Sequence, residues 1–521
     1  MGCLFSLVRA LPGWRRIELA LLLILAVAAL GTRLVGLERY SGSYPEGVRA
    51  EQLLLMGLGF RPFKDIFSDQ GPWLLDVLYP GFALFGPNLI GVRAVVVAMS
   101  LVGLGAAYWL GCQLSGRVCA LVSVALLAAS PTYLKFSRIA VAELVAIAPA
   151  MLSLAAAARF ADAGASRWLV LSGLLAGVSL LIKPIVVGIV PAVALTVLIR
   201  PRRWRSLAIL AATGGITILV GVLVVGLPEI LGQIVVFRLQ SRAVEGWSLA
   251  ANLSRARQEL GPEGTALYLL GALGLVGALA SRRAWPLALW SAGSVATLAA
   301  HSPLHGKHFT LVVVPVVLLA GLALGRAAEF AGNRTRRWPG LAFGLLVSLA
   351  AALYAAALPS QLARDRELLL ADDLFERDAS APLYGDAIAT LERTTPTGSY
   401  IVTDHAYLAF AAARPVPPFL AEASATRVHA GTLTDDQAID NTQRFHSQAV
   451  LLWADKLSDL RRYRSWVQRE YLLARVWAAE DDTRPQLWLP RSGAASDYRA
   501  AMRLGLTPGP AEPLDGRLRA V

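Results

Sequence analysis

The chain has 521 residues, of which 56% are apolar and only 16% charged. That balance excludes an ordinary soluble protein of this length and matches a multi-span membrane protein. The net charge of +13 falls largely as arginines in short segments between apolar runs, so it gives no reason to invoke nucleic acid.

The first apolar run, 17–35, follows Arg9, Arg15 and Arg16 and has no clear small-residue cleavage site after it, so it reads as an uncleaved span with a cytoplasmic N-terminus. Further runs fall at 90–114, 118–131, 139–158, 168–182, 184–199, 206–226, 265–280, 284–300, 309–325 and 340–358. Together they predict about eleven transmembrane helices. Arg117, Arg159, Arg200, Arg202, Arg282, Arg326, Arg334, Arg336 and Arg337 then lie in inner segments against few acids, chiefly Asp162 and Glu329. This positive-inside pattern puts loops 36–89 and 227–264 and the tail 359–521 outside a cytoplasmic (inner) membrane. Cys3, Cys112 and Cys119 allow at most one disulfide, and the latter two read as packing residues.

Residues 1–358 thus form a membrane domain, and 359–521 a soluble outer α/β domain. In the tail, charges are frequent and no run has membrane length. Ile401-Val402-Thr403 and Ala449-Val450-Leu451-Leu452-Trp453 read as short buried strands, between helical stretches such as 361–374 and 434–446.

The candidate chemistry lies in the outer loops and at helix mouths. In Tyr44-Pro45-Glu46-Gly47-Val48-Arg49-Ala50, proline opens a helix whose first turn holds Glu46. Glu46 fits a general base for an acceptor hydroxyl, but from this stretch alone a salt-bridged interfacial helix with Leu53 and Leu54 facing lipid is the favoured reading. Asp65 and Asp69 precede Gly71-Pro72. They suit loop closure, acceptor orientation or a divalent ion, and without further ligand spacing the metal signal is weak.

Arg138 and Glu143 open the next candidate segment, and a carboxylate at the mouth of an apolar helix is paired, functional or both. Lys183-Pro184 interrupts another apolar run, where lysine either snorkels or binds a phosphate oxygen; we favour phosphate. His301, His305 and His308 resemble a zinc spacing, but Pro303 and Gly306 oppose one continuous helix. Lys307 and His308 therefore read as contacts to lipid phosphate.

These segments, taken in order with Leu84-Phe85-Gly86, Val92-Arg93 and Ile182-Lys183-Pro184, resemble the GT-C superfamily of membrane glycosyltransferases, nearest the bacterial branch of aminoarabinose transferases and protein O-mannosyltransferase-like enzymes. The resemblance covers residues 17–325. It implies an inverting transfer of a sugar from a polyprenyl-monophosphate donor to an acceptor hydroxyl of a glycan, lipid or protein at the outer membrane face. It makes Glu46 the base and Glu143 a pocket-shaping acid. Lys183, with Lys307 and His308, becomes the donor-phosphate contact; Arg138 joins the substrate contacts, and Asp69 is a polar loop position. The family more often has Asp followed by Glu where this chain has Glu46 followed by Gly47. No cofactor is expected, because lysine and arginine can neutralise a monophosphate; a divalent metal is the less favoured alternative. Two other functions compete. A transporter or flippase would place ionisable groups deep in paired spans, and a non-catalytic glycan-binding or assembly protein would explain the missing second acid.

Overall fold

The computed structural model describes residues 13–39, 42–199, 203–332, 338–370, 380–478 and 484–491. Cys3, Arg9, Arg200, Arg202, Arg334, Arg336, Arg337 and the end of the 361–374 stretch lie outside the described residues.

Six helices among the described residues are long and apolar enough to cross a membrane: Gly13–Leu34, Leu89–Ala128, Ala142–Ala163, Arg203–Val225, Gly306–Phe330 and Gly340–Leu370. The pair Leu249–Glu263 and Thr265–Leu279, bent by 100°, makes a seventh if it is counted as one broken span. The expectation of about eleven spans is therefore wrong, for identifiable reasons. The runs at 168–182, 184–199 and 284–300 yield helices Arg167–Ile182, Ile189–Leu198 and Trp285–Ala300 of 16, 10 and 16 residues. At about 1.5 Å per residue these fall short of a hydrocarbon core about 30 Å thick. The runs at 90–114 and 118–131 are two arms of Leu89–Ala128, separated where Gly116 takes φ 75°, and the second arm, ending at Ala128, is too short to span. A Cβ on Gly111 would stand 2.6 Å from the Cα of Ala120, so the chain doubles back tightly there. Cys112 and Cys119, on either side of this break, are free thiols. With six or seven spans, the parity that placed the tail no longer fixes its side.

The described chain divides into two compact units. The first comprises 1–40, 70–227 and 246–374, and it carries every one of these spans. Inside it, Arg33, Arg93 and Arg138 are all buried. Arg33 donates to Ser100 Oγ at 3.1 Å, Arg93 to the Leu37 carbonyl at 2.8 Å, and Arg138 to the carbonyls of Thr32 and Val35. Cations thus satisfy the carbonyl end of the first span, where the helix dipole is negative.

The second unit comprises 41–69, 228–245 and 375–521. Its sheet has the order β1-β2-β4-β3, with β1 Val402–Thr403, β2 Val450–Leu452, β3 Tyr471–Val476 and β4 Gln486–Pro490. β1 and β2 run parallel, and the other two pairings are antiparallel. Both strands expected from sequence are present as the parallel pair, and Asp435–Arg444 supplies the helix expected at 434–446. One core joins Leu55 and Ile66 from the first long loop to Ile401, Leu451 and Trp453 from the tail. Leu53 is buried too, so the helix Tyr44–Gly57 does not present it to lipid as the sequence suggested.

Glu51 lies in this unit with one oxygen accepting from the Val416 N–H at 2.7 Å and the other unpartnered. Burial pushes its carboxyl from 4.5 up to about 8. The folded value is the raised one, so this group's contribution is fully present below pH 4.5 and is lost as pH rises through about 8. Glu51→Gln is expected to keep the fold and flatten that decline. Tryptophan-fluorescence unfolding curves taken across this range test it; a decline of unchanged slope would contradict it.

Candidate active site

In the first unit the short segment Gln70-Gly71-Pro72-Trp73 is pressed against the end of helix Arg167–Ile182. A Cβ on Gly71 would stand 2.1 Å from the Leu181 carbonyl oxygen, which also accepts from the Trp73 N–H at 3.1 Å. Glycine is required by that approach. The contact sets Gln70 beside Lys183, whose ammonium donates to Gln70 Oε1. Lys183 itself caps the helix in an extended conformation (φ −154°, ψ 103°), as the residue before Pro184 must.

Lys183 Nζ is also 3.4 Å from Glu143 Oε1. Glu143 sits in the first turn of helix Ala142–Ala163, where the dipole favours an anion, and it is wholly buried. His308 Nε2 stands 3.4 Å from the same oxygen. The His305 N–H donates to His308 Nδ1 at 3.2 Å, so a neutral His308 ring carries its proton on Nε2, facing Glu143. His301 and His305 meet His308 edge-on, with ring centres 4.8 and 5.5 Å away. Lys307 is half-buried beside His308 in the turn Gly306–Phe309. Glu143, Lys183 and His308 are therefore brought together as a carboxylate between two nitrogen bases. Arg138 bonds instead to the end of the first span, as described above.

The second unit holds Glu46 and Asp69. Ser43 caps the helix Tyr44–Gly57, its hydroxyl accepting from the Glu46 N–H at 3.4 Å, and the Glu46 side chain is buried. One turn on, Arg49 donates to Gln52 Oε1 at 2.5 Å and to Asp69 Oδ1 at 2.9 Å. Arg238 donates to the other Asp69 oxygen. Two arginines thus fix Asp69, which ties the first long loop to segment 228–245 within this unit. Asp65 accepts from the Arg61 N–H at 2.8 Å and closes its own turn. Asp404 accepts four main-chain N–H groups, from Trp453, Ala454, Lys456 and Leu457, and so shapes the loop after β2.

Gly47 has a packing explanation. A Cβ there would lie 2.3 Å from the Tyr407 backbone nitrogen and 2.6 Å from its Cα. A second acid after Glu46 has no room. Gly47→Ala is expected to destabilise the protein by about 1–3 kcal/mol through overpacking, and Gly47→Glu by more. Thermal unfolding checks this; a neutral Gly47→Ala would contradict the close approach.

Sequence reasoning passed over Gln70, Arg238, Glu422 and Arg427. Gln70 lies between Asp69 and Gly71-Pro72, but its partner lies 113 residues away in the chain. The others belong to segments with no pattern to mark them.

This arrangement has the GT-C fold. Residues 70–227 match the family described as dolichyl-phosphate-mannose-protein mannosyltransferase. The chain is similar to the crystal structure of ArnT from Cupriavidus metallidurans bound to undecaprenyl phosphate, with TM-score 0.59 and 14% identity over 90% of this chain and 97% of that one. It is similar also to the archaeal oligosaccharyltransferase AglB from Archaeoglobus fulgidus, in complex with an inhibitory peptide and a dolichol-phosphate, with TM-score 0.53 and 13% identity over 96% of this chain and 75% of that one. No curated protein matches the sequence significantly.

Proposed function

We propose that this protein transfers a sugar from a polyprenyl-monophosphate donor to an acceptor hydroxyl at the outer face of the cytoplasmic membrane, with inversion. The observation that carries the reading is the buried Lys183–Glu143–His308 cluster in a unit built of membrane-length helices. Buried charge among such helices is costly and rarely kept without a task. The likeness in fold to structures holding undecaprenyl phosphate and dolichol-phosphate supports the choice of donor.

In this scheme Glu46 accepts the proton of the acceptor hydroxyl as its oxygen bonds to the anomeric carbon. The bond from that carbon to the phosphate oxygen breaks, and the phosphate departs with the electron pair. Lys183, with Lys307 and His308, stabilises the leaving charge. Glu143 holds Lys183 and the His308 ring in place, Arg138 positions the first span, and Asp69 orders the loop that carries Glu46. The second unit faces the outside, and the acceptor is a glycan, lipid or protein.

The test is transfer of labelled sugar from synthetic polyprenyl-phosphate donors by the purified protein supplied with envelope extracts. Product of inverted configuration is expected. Movement of intact donor between leaflets without transfer would favour a flippase, and binding without either would favour an assembly protein.

A further inference from the structure

The second unit contains buried polar groups that the proposed transfer does not use. Arg427 is 0% exposed, its guanidinium carbon 3.7 Å from the centre of the Phe67 ring and 4.6 Å from that of Phe419. Its Nη1 donates to the carbonyls of Phe419 at 2.9 Å and Glu422 at 2.7 Å, while Nε and Nη2 have no hydrogen-bond partner. Glu422 Oε2 has none either, and reaches Arg49 only at 3.9 Å. The buried Tyr44 hydroxyl is likewise unpartnered. Glu422 and Arg427 each act electrostatically on Tyr44, so the three groups share one neighbourhood. Buried polar atoms are almost always hydrogen-bonded, and leaving several unpaired in one place is costly.

We propose that Tyr44, Glu422 and Arg427 form a subsite for neighbouring hydroxyls of a sugar ring, a specificity element that rests on the glycosyl-transfer reading. The unused groups comprise N–H donors on Arg427, an acceptor on Glu422, and a phenol that does both. Vicinal hydroxyls, each donating and accepting, complement that set. A phosphate accepts only and would face the charges of Glu422 and Asp69. The arginine packs against two aromatic rings and donates to two carbonyls, so its free N–H edge is fixed in advance. Side-chain exposure is 8% at Glu422, 11% at Asp69 and 31% at Arg238.

Saturation-transfer NMR on the full-length protein in detergent, with methyl α-mannopyranoside, methyl α-glucopyranoside and methyl β-galactopyranoside, tests the subsite without requiring turnover. At least one glycoside is expected to bind saturably. Glu422→Gln and Tyr44→Phe should weaken it by about tenfold or more, the scale of one lost hydrogen bond. Glu51→Gln, a substitution in the same unit, should bind as the parent does. Displacement of the glycoside by polyprenyl-phosphate glucose would assign the subsite to the donor's sugar; simultaneous binding would assign it to the acceptor. Absence of saturable binding by all three glycosides would overturn the proposal, as would unchanged binding by both variants or full displacement by inorganic phosphate. Glycoside binding of the expected pattern without sugar transfer would refute the transferase reading and leave the subsite standing. Transfer with glycoside binding indifferent to both variants would do the reverse.

Discussion

Glu46→Gln is expected to lower the rate of sugar transfer by about 10²- to 10⁴-fold, the usual contribution of a positioned base. The substitution keeps the size of the side chain and its ability to hydrogen-bond. It also leaves the main-chain N–H that donates to Ser43 untouched. The helix Tyr44–Gly57 should therefore form as before, and the loss should fall on kcat with the donor KM nearly unchanged. Steady-state kinetics with a labelled polyprenyl-phosphate sugar, beside a thermal unfolding curve, separate this from misfolding. Undiminished transfer would remove Glu46 from the base role.

Lys183→Met is expected to have the second large effect, on folding and activity together. It leaves the wholly buried Glu143 carboxylate without its ammonium partner, a change that typically costs about 3–5 kcal/mol. Pairing it with Glu143→Gln removes the stranded charge, so the double variant should regain most of the lost stability. Transfer should stay abolished, because the cation assigned to the leaving phosphate is still missing. Recovery of both stability and transfer in the double variant would reduce the lysine to a structural partner of Glu143.

Local chemistry was legible in the sequence; distant pairing was not. Lys183-Pro184 announced a helix break with a cation, and the structure has that break, because proline constrains the residue before it in any context. The two strands in the tail were visible as short apolar runs. The number of spans was not, since hydropathy registers an apolar run without its length as a helix. The two short helices either side of Lys183-Pro184 and the short arm between Gly116 and Ala128 each inflated the count. Glu46 and Asp69 belong to one compact unit and Glu143, Lys183 and His308 to the other, a division that no feature of the sequence marks. The acids of the first long loop pack with the tail through contacts such as Glu51 with Val416, 365 residues apart, which no spacing rule detects. Gly47 read as a missing acid and is instead a close approach to the Tyr407 backbone.

The central claim is that a polyprenyl-linked phosphate is held by the cationic cluster of the membrane unit. A cryo-electron microscopy structure of the full-length protein with a polyprenyl-phosphate sugar bound tests it most directly. Phosphate oxygens are expected within about 4 Å of Lys183 Nζ, ion-pair distance, with His308 and Lys307 beside them. Phosphate seated away from all three would contradict it.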